Sequence, residues 1–500
     1  MIAIPLTRVF AACGLLLILM KHNRWYKASS LAEKTTRLLP LLCSRYLSRQ
    51  DQQYAITQTT GLAADICTIF NHVNKPNQAL QHLEFGRGLI LSYLIDSRND
   101  VDQLHKDHPG LASEYDLLRR TLSQPLPSVE SKDSAHILER KKQAARELEH
   151  CLHAIRQQPG HALIVLEDQI HSLELPLMPS LHHFGFNKML ARFRAVAQRG
   201  PRDVQSELQA SHPIVRLTKP YYDAEALFWL WDCWVKLILE FIELQASVPT
   251  DKYRIWWMGT GAASFLPFYA AGHYEDPLQS TMGHAISSYM PTIEALAYSR
   301  SQLSRLPTRD TQTSVAIMAM PTTPQETSLP GIESEIEAIQ NAAGSEFTLQ
   351  VQRYPQSEAV LQAMQEIDII HFACHDGPSG PLVDRLTVQK ISDQMVKRAR
   401  IAFLSACSTA EITAHEFTDE AIHLASVFQV AGFGHVIASL WSVKDSVCAP
   451  VASHFYHHLA QQTTGSLSNR TIAEALHGAV LKIRKTESPN VWASFVHYGA

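Results

Sequence analysis

The chain has 500 residues, of which 46% are hydrophobic, and its formal net charge is -4 at pH 7. One hydrophobic core does not usually serve a chain of this length, so about two or three globular domains are expected. Lysine and arginine form no basic stripe of the kind that neutralises phosphates, which argues against nucleic acid as a partner. The 8 cysteines follow no regular framework, which favours reduced thiols and a cytoplasmic protein over a secreted scaffold.

Residues 1–29 form an apolar N-terminal segment, with basic residues on both sides of the apolar run at 10–20. The run is too short to span a bilayer as a helix, and no small-residue cleavage site follows it. The segment is expected to be unstructured, a buried helix or an anchor. A membrane is not an expected partner, and membrane association through residues 9–20 is the alternative to a purely cytoplasmic location.

Residues 30–158 form the next predicted region, which has the apolar periodicity of helices. The patterns at 53–70 and 77–92 predict two amphipathic helices, joined by a turn that contains Pro76. Small residues such as Gly86 would let the two helices approach closely, as in superhelical repeats. A helical region of this kind is expected to bind a protein partner.

Residues 159–310 are the predicted N-terminal part of a larger C-terminal module. A short strand is predicted at 162–166 and a very apolar helix at 224–244. This helix carries three tryptophans for which core packing is the expected role, namely Trp229, Trp231 and Trp234.

Residues 311–500 alternate between strand-like and helix-like patterns. This alternation predicts an α/β module with a mixed, mainly parallel sheet flanked by helices, preceded in the chain by the all-α region. The run at 401–404 is apolar throughout, which is typical of a strand buried on both faces. The predicted strands are 315–320, 347–353, 367–372, 401–404 and 435–440. The predicted helices begin at Glu333 and Glu358 or cover 421–431, 447–459 and 472–483.

A histidine and a cysteine follow two of these strands. His375 comes after the strand at 367–372, and Cys407 comes after the strand at 401–404. Ligands and catalytic groups collect at the carboxyl ends of parallel strands, so the two side chains are expected at one edge of the sheet. A nearby imidazole favours the thiolate and can protonate a leaving amine, so the pair suits nucleophilic catalysis. Gly377 would let backbone N–H groups approach a developing oxyanion.

The residues alone leave two other interpretations of these side chains open. A cysteine that follows an apolar strand is usually a buried, inert thiol. His371 and Cys374 could join His375 and Cys407 as zinc ligands, although the compact first cluster lacks a second matching pair. For His371 and Cys374 themselves, packing or hydrogen bonding inside the sheet is the expected role.

Four segments resemble the CHAT family, in the order in which that family has them: IIHFACH, AFLSACSTA, DEAIHLASVFQVAGFGHVIASLW and WASFVHYGA. The resemblance begins near Phe228 and continues to residue 500. CHAT domains are similar to caspases and separases, so the resemblance implies a caspase-like α/β fold and cysteine-peptidase chemistry. Upstream, DQQYAITQTTGLA and NQALQHLEFGRG resemble the TPR-type helices that precede CHAT domains in fungal proteins.

The resemblance also implies roles for single residues. Cys407 would attack a peptide carbonyl, and His375 would act first as base and then as acid. Backbone amides at Gly377 and Cys407 would hold the oxyanion, and the substrate would be a protein or peptide. Asp445 matches an acidic position that in separase-like relatives receives a basic P1 side chain, with a helix cap as the alternative role. No cofactor and no metal are implied.

Two features depart from the family's pattern. Asp376 stands between His375 and Gly377, where the family usually has glycine directly after its histidine; a carboxylate there could raise the imidazole pKa or block the oxyanion site. The stretch before the strand-like residues 386–391 is short, and the chain near 159–161 is abridged relative to the family. Two functions therefore stay open: a cysteine endopeptidase regulated by its N-terminal helices, and an inactive caspase-like scaffold or signalling adaptor that acts through protein–protein contacts.

Overall fold

A computed structural model of the chain gives the fold. It describes residues 5–39, 59, 61–87, 160–166, 169–175, 221–245, 252–260, 263, 266–306, 312–322, 328–374, 386, 388–392, 394, 396, 398–405, 424–441, 445–461 and 467–500. The chain forms two compact units, Met1–Phe186 with Ala414–Ala421, and Asn187–Thr413 with Ile422–Ala500. The domain boundaries expected from the sequence, at 29/30, 158/159 and 310/311, stay predictions.

The described part of the first unit consists of helices and one hairpin. Its helices are α1 (Pro5–Lys21), α2 (Trp25–Thr36), α3 (Leu62–His72) and α4 (Pro76–Gly86). The hairpin is formed by β1 (Gly160–Val165) and β2 (Ile170–Leu175), which pair antiparallel over their whole length. No helix of the described residues is long and apolar enough to cross a membrane.

The predicted helical hairpin is present as α3 and α4. Pro76 begins α4, where its missing N–H costs no hydrogen bond. The helices approach closely at Gly86, where an added Cβ would lie 3.0 Å from the Cβ of Ala63. The predicted helical residues 53–58, 60 and 88–92 lie outside the described residues.

The second unit contains a sheet and the helices around it. Its strands are β3 (Tyr253–Trp257), β4 (Ala285–Tyr289), β5 (Thr313–Ala319), β6 (Phe347–Arg353), β7 (Ile369–Ala373), β8 (Ile401–Leu404), β9 (His435–Ser439) and β10 (Phe495–Gly499). Its helices are α5 (Tyr221–Leu230), α6 (Lys236–Gln245), α7 (Thr281–His284), α8 (Ile293–Arg305), α9 (Gly331–Ala343), α10 (Ser357–Glu366), α11 (Val388–Ser392), α12 (Leu424–Ala431), α13 (Asp445–Gln461), α14 (Asn469–Ile483) and α15 (Pro489–Trp492).

The tryptophan-rich helix predicted at 224–244 extends from α5 to α6. Five π-helical residues, Trp231–Val235, join the two parts. Trp231 and Trp234 are buried, which confirms the predicted core packing for these two side chains, and Trp229 is half-buried.

Among the described residues, the strands of the second unit form one sheet of eight, in the order β3-β4-β10-β9-β8-β7-β5-β6. Neighbouring strands run parallel, apart from the antiparallel pair β9 and β10. β10 therefore joins β3 and β4 to the half of the sheet that runs from β9 to β6. The predicted fold class, a mixed and mainly parallel sheet flanked by helices and preceded by a helical region, is confirmed.

Helices cover both faces of this sheet. His371 of β7 contacts Tyr456 of α13, whereas the next residue, Phe372, packs its ring on Phe428 of α12. Successive side chains of a strand point to opposite faces, so α13 and α12 lie on opposite faces of the sheet. α9 and α14 pack against α13, and α8 and α11 pack against α12. Every residue of β7, β8 and β9 is consequently buried, as the apolar run at 401–404 predicted for its strand.

The strand-like interpretation of residues 386–391 is wrong, because residues 388–392 form α11. Ile391 is buried where α11 packs against α12. Lys390 Nζ donates a hydrogen bond to Ser357 Oγ at 2.9 Å. A few residues of alternating polarity are a weak strand signal, and packing against a neighbouring helix overrides it here.

Candidate functional site

The candidate site follows two neighbouring parallel strands. β7 and β8 pair from Ile369 with Ile401 to Phe372 with Leu404. Beyond the last pair, Ser405 N–H donates to the carbonyl oxygen of Phe372 at 2.9 Å. The carboxyl ends of the two strands therefore lie side by side at one edge of the sheet, as the sequence predicted.

The predicted catalytic residues come just after these strand ends. His375 follows the last residue of β7 by two positions, and Cys407 follows the last residue of β8 by three. Both residues lie outside the described residues, and so do Asp376 and Gly377. The pairing of β7 with β8 places the two strand ends side by side, and the dyad itself stays a prediction.

Asp445 follows a third strand at the same edge. β9 runs parallel to β8 and ends at Ser439, and Asp445 is the first residue of α13. Its side chain lies outside the described residues. The P1 role and the helix-cap role of Asp445 therefore both stay predictions.

A buried hydrogen-bond network lies at the carboxyl ends of β7 and β8. The Glu335 carboxylate on α9 accepts from Ser405 Oγ at 2.6 Å and contacts His371 Nε2 at 3.1 Å. His371 Nδ1 lies 3.3 Å from the hydroxyl of Tyr456 on α13. The side chains of His371 and Glu335 are 0% and 2% exposed, so water does not satisfy these groups. We call these four residues, Glu335, His371, Ser405 and Tyr456, the acid network.

The direction of each hydrogen bond in the acid network follows from its chemistry. A carboxylate only accepts, so His371 Nε2 and Ser405 Oγ both donate to Glu335. In the neutral ring, Nδ1 of His371 then accepts from the Tyr456 hydroxyl. Burial, and secondly the charge of Glu335, raise the Tyr456 pKa well above its ordinary value, so this hydroxyl keeps its proton.

The predicted role in packing or hydrogen bonding is confirmed for His371 and stays a prediction for Cys374. His371 is buried and hydrogen bonded, and its ring stacks on Phe403 with 4.6 Å between centroids, so the prediction for it is confirmed. Cys374 is half-buried directly after β7. Within the described part of the chain, no group of three His, Cys, Asp or Glu side chains could hold a metal ion; His375 and Cys407 are not part of that set.

Glu335 is not among the site residues predicted from the sequence, although the sequence contains a signal for it. Glu335 is buried on the apolar face of α9 beside Ile332, Ile336 and Ile339. An acid at helical spacing within an apolar stripe is unusual, because burying an unpaired charge is costly. Its partners are 36 and 70 positions away in the chain, so the pairing could not be predicted without the fold.

A second buried network crosses the other half of the sheet. Arg254 Nη2 of β3 donates to Ser288 Oγ of β4 at 2.7 Å, and the Ser288 hydroxyl donates to Nδ1 of His497 on β10. His497 Nε2 and His435 Nδ1 of β9 are 3.0 Å apart, and His435 Nε2 lies 3.3 Å from Asn469 Oδ1. We call these five residues the histidine chain; it links four strands and α14 through their side chains.

The fold defines the second unit as an α/β protein with a mixed, mainly parallel sheet. The CHAT domain family matches residues 225–500. This match covers more than half of the chain, and the protein therefore belongs to the CHAT domain family. The matched range agrees with the resemblance that the sequence motifs indicate from Phe228 onward.

Two solved structures have low similarity to the chain. The chain is similar to separase in a Saccharomyces cerevisiae separase–securin complex, at 10% identity and a TM-score of 0.47, over 99% of this chain and 40% of that one. It is also similar to the Arg-specific cysteine proteinase gingipain R, at 9% identity and a TM-score of 0.38, over 54% of this chain and 68% of that one. The chain thus spans 40% of the length of the separase chain. No curated protein sequence matches this chain.

Proposed function

We propose that the protein is a cysteine endopeptidase of the CHAT type, in which Cys407 is the nucleophile and His375 the general base and acid. The observation that carries this proposal is the parallel pairing of β7 with β8, whose carboxyl ends precede His375 and Cys407. Membership of the CHAT family supports the same roles. The substrate is a protein or peptide.

The proposed reaction is an acyl transfer to the thiol followed by hydrolysis. His375 takes the proton of Cys407 Sγ, and the thiolate attacks the carbonyl carbon of the scissile bond. Backbone N–H groups of Gly377 and Cys407 stabilise the oxyanion, and the imidazolium then gives its proton to the leaving amine. Water hydrolyses the thioester and returns the free thiol. A basic P1 side chain pairs with Asp445.

The helices of the first unit are the proposed regulatory part. The close approach of α3 and α4 at Gly86 supports a helical-hairpin repeat, a design that binds protein partners. Partner binding there would control access to Cys407. The protein acts in the cytoplasm, a location supported by the 8 cysteines of the sequence, which follow no regular framework.

Asp376 favours a second candidate function, a catalytically inactive scaffold or signalling adaptor. The residue directly after His375 is a carboxylate in place of the family's usual glycine. A carboxylate there would compete with the oxyanion for backbone donors. On this alternative, the helices recognise partners and Cys407 contributes only to packing.

Covalent labelling of the purified full-length chain distinguishes the two functions. The probe is a peptide with a thiol-reactive electrophile and an arginine at P1, and mass spectrometry identifies the labelled residue. Burial raises the pKa of Cys13 and Cys67 to about 12 and that of Cys233 to about 11, so these thiols stay protonated at neutral pH and give little background. We expect labelling at Cys407 that disappears in His375→Ala.

Cys374→Ala is the matched control, because Cys374 is a half-buried thiol at the end of the adjacent strand. Its removal is expected to leave the labelling of Cys407 unchanged. An Asp445→Asn variant that loses the preference for arginine over a neutral P1 residue would support the P1 assignment. A folded protein that is not labelled at Cys407, or is labelled equally well in His375→Ala, would favour the scaffold.

A further inference from the structure

The Glu335 carboxylate bridges two neighbouring strands at the point where their pairing ends. A single oxygen, Oε1, lies 2.6 Å from Ser405 Oγ and 3.1 Å from His371 Nε2. Ser405 directly follows β8, and its N–H makes the last backbone hydrogen bond to β7. Glu335 therefore fixes the lateral position of the end of β8 relative to β7.

Packing alone does not require an acid at position 335. The neighbouring side chains on the same face of α9 are Ile332, Ile336 and Ile339, all of them buried. A leucine would fill the position without the cost of taking a charge out of water. What the carboxylate adds over an apolar side chain is directional bonding to two defined donors.

The support behind the carboxylate is rigid. α9 packs against α13, and Tyr456 of α13 contacts the same imidazole that donates to Glu335. The imidazole also stacks on Phe403. A carboxylate held on this framework can hold the serine at the strand end, which is the last described residue before the segment that carries Cys407.

We infer that Glu335 is a positioning residue of the proposed peptidase site and acts through Ser405 on the segment that carries Cys407. The inference rests on the proposed function, because it assigns Glu335 a part in orienting that nucleophile. Orientation matters because a displacement of about 1 Å at a reacting group can lower a rate by about 100-fold. Loss of the Glu335–Ser405 hydrogen bond should therefore slow the reaction of Cys407 while leaving peptide recognition intact.

The test measures how fast the arginine-P1 electrophile labels Cys407 in full-length variants, over a range of probe concentrations. Glu335→Leu and Ser405→Ala each remove the hydrogen bond. We expect the maximal labelling rate to fall, by up to about 100-fold in Glu335→Leu, with the half-saturating probe concentration unchanged. Ser405→Thr keeps a hydroxyl and is expected to restore most of the rate, and Glu335→Gln, which keeps an acceptor oxygen, should lose less than Glu335→Leu.

Glu337→Gln is the matched control, because Glu337 is an exposed acid on the same helix. It is expected to leave the maximal rate unchanged. Circular dichroism verifies the fold of each variant, and if Glu335→Leu fails to fold, the pair Ser405→Ala and Ser405→Thr decides. Equal maximal rates for wild type, Ser405→Ala and Ser405→Thr would overturn the inference and leave the peptidase intact. Absence of labelling in folded wild type would instead overturn the proposed function, and the inference with it.

Discussion

The acid network and the histidine chain lie in two halves of one sheet, and their buried histidines have different hydrogen-bond partners. In both, buried imidazoles connect neighbouring secondary-structure elements, and the histidines are at most 2% exposed. The acid network ends on the anion of Glu335. The histidine chain begins at the cation of Arg254 and ends at the amide of Asn469.

This difference sets how each network responds to a proton. The Glu335 carboxylate can accept from an imidazole in either protonation state. In the histidine chain, His435 Nε2 donates to Asn469 and Nδ1 accepts from His497, so a second proton on His435 would face another N–H. The comparison indicates that the acid network serves the strand ends next to the candidate site, whereas the histidine chain serves the cohesion of the sheet.

The largest effect expected to distinguish the two networks is a fall in the free energy of unfolding at acidic pH, caused by the histidine chain. Burial lowers the pKa of His435 to about 3, with smaller contributions from Arg254 and Arg400, although the hydrogen bond to Asn469 raises it. Burial also lowers the pKa of His497 well below its ordinary value, and the charges of His435 and Arg254 add to this shift. These histidines stay neutral in the folded protein while their unfolded counterparts take up protons below pH about 6.5. Their contribution to stability is therefore present above that pH and lost as the pH falls below about 6.5, and for His435 the loss continues toward pH about 3.

Each of the two histidines should lower the free energy of unfolding by about 1.4 kcal/mol per pH unit in this range. Urea denaturation from neutral pH to about pH 4.5 measures the slope. His457→Gln, which changes an exposed histidine on α13, is expected to leave the slope unchanged. A free energy of unfolding that stays flat across this range would contradict the histidine chain as described.

A smaller effect is expected when the serine of the histidine chain is removed. Ser288→Ala leaves Nδ1 of His497 without its donor and removes an acceptor of Arg254. Unsatisfied buried groups of this kind cost about 1–3 kcal/mol each, so we expect a loss of about 2 kcal/mol in urea denaturation. The labelling rate of Cys407 should not change. A large fall in that rate would show that the two halves of the sheet are not independent.

The smallest effect is expected when the hydroxyl of Tyr456 is removed from the acid network. Tyr456→Phe removes one hydroxyl, and with it the contact to His371 Nδ1, while the ring keeps its packing against Phe403. The free energy of unfolding should fall by about 1 kcal/mol. Glu335 and Ser405 keep their bond, so the labelling rate should fall less than in Ser405→Ala. A fall in the labelling rate as large as that in Ser405→Ala would show that Tyr456 contributes to positioning as much as Glu335 does.

Much of the sheet could be predicted because its strands carry strong local signals. β5, β7, β8 and β9 are short, mostly apolar runs, β6 alternates apolar and polar residues, and the predicted strands overlap all five of them. His375 and Cys407 follow β7 and β8, so the same local signals predicted the candidate edge of the sheet. Where the local pattern is regular, sequence and tertiary structure agree.

β10 could not be predicted, because its pairing partners are distant in the chain. β10 contains His497 and Gly499 among fully buried residues, and it shows neither polar alternation nor a plain apolar run. It becomes a strand because β9 and β4 are available on its two sides. Likewise, Glu335 has an interpretable role only once the fold places it beside Ser405. Both features depend on long-range contacts, which local propensity does not encode.

The place of β10 in the sheet also affects how the protein is made. Its residues leave the ribosome after those of every other described strand, yet it pairs in the interior of the sheet, between β4 and β9. Until then the nascent chain exposes two open edges, and unpaired edges favour aggregation. We therefore expect a chain that stops before residue 495 to expose both edges permanently and to aggregate or be degraded.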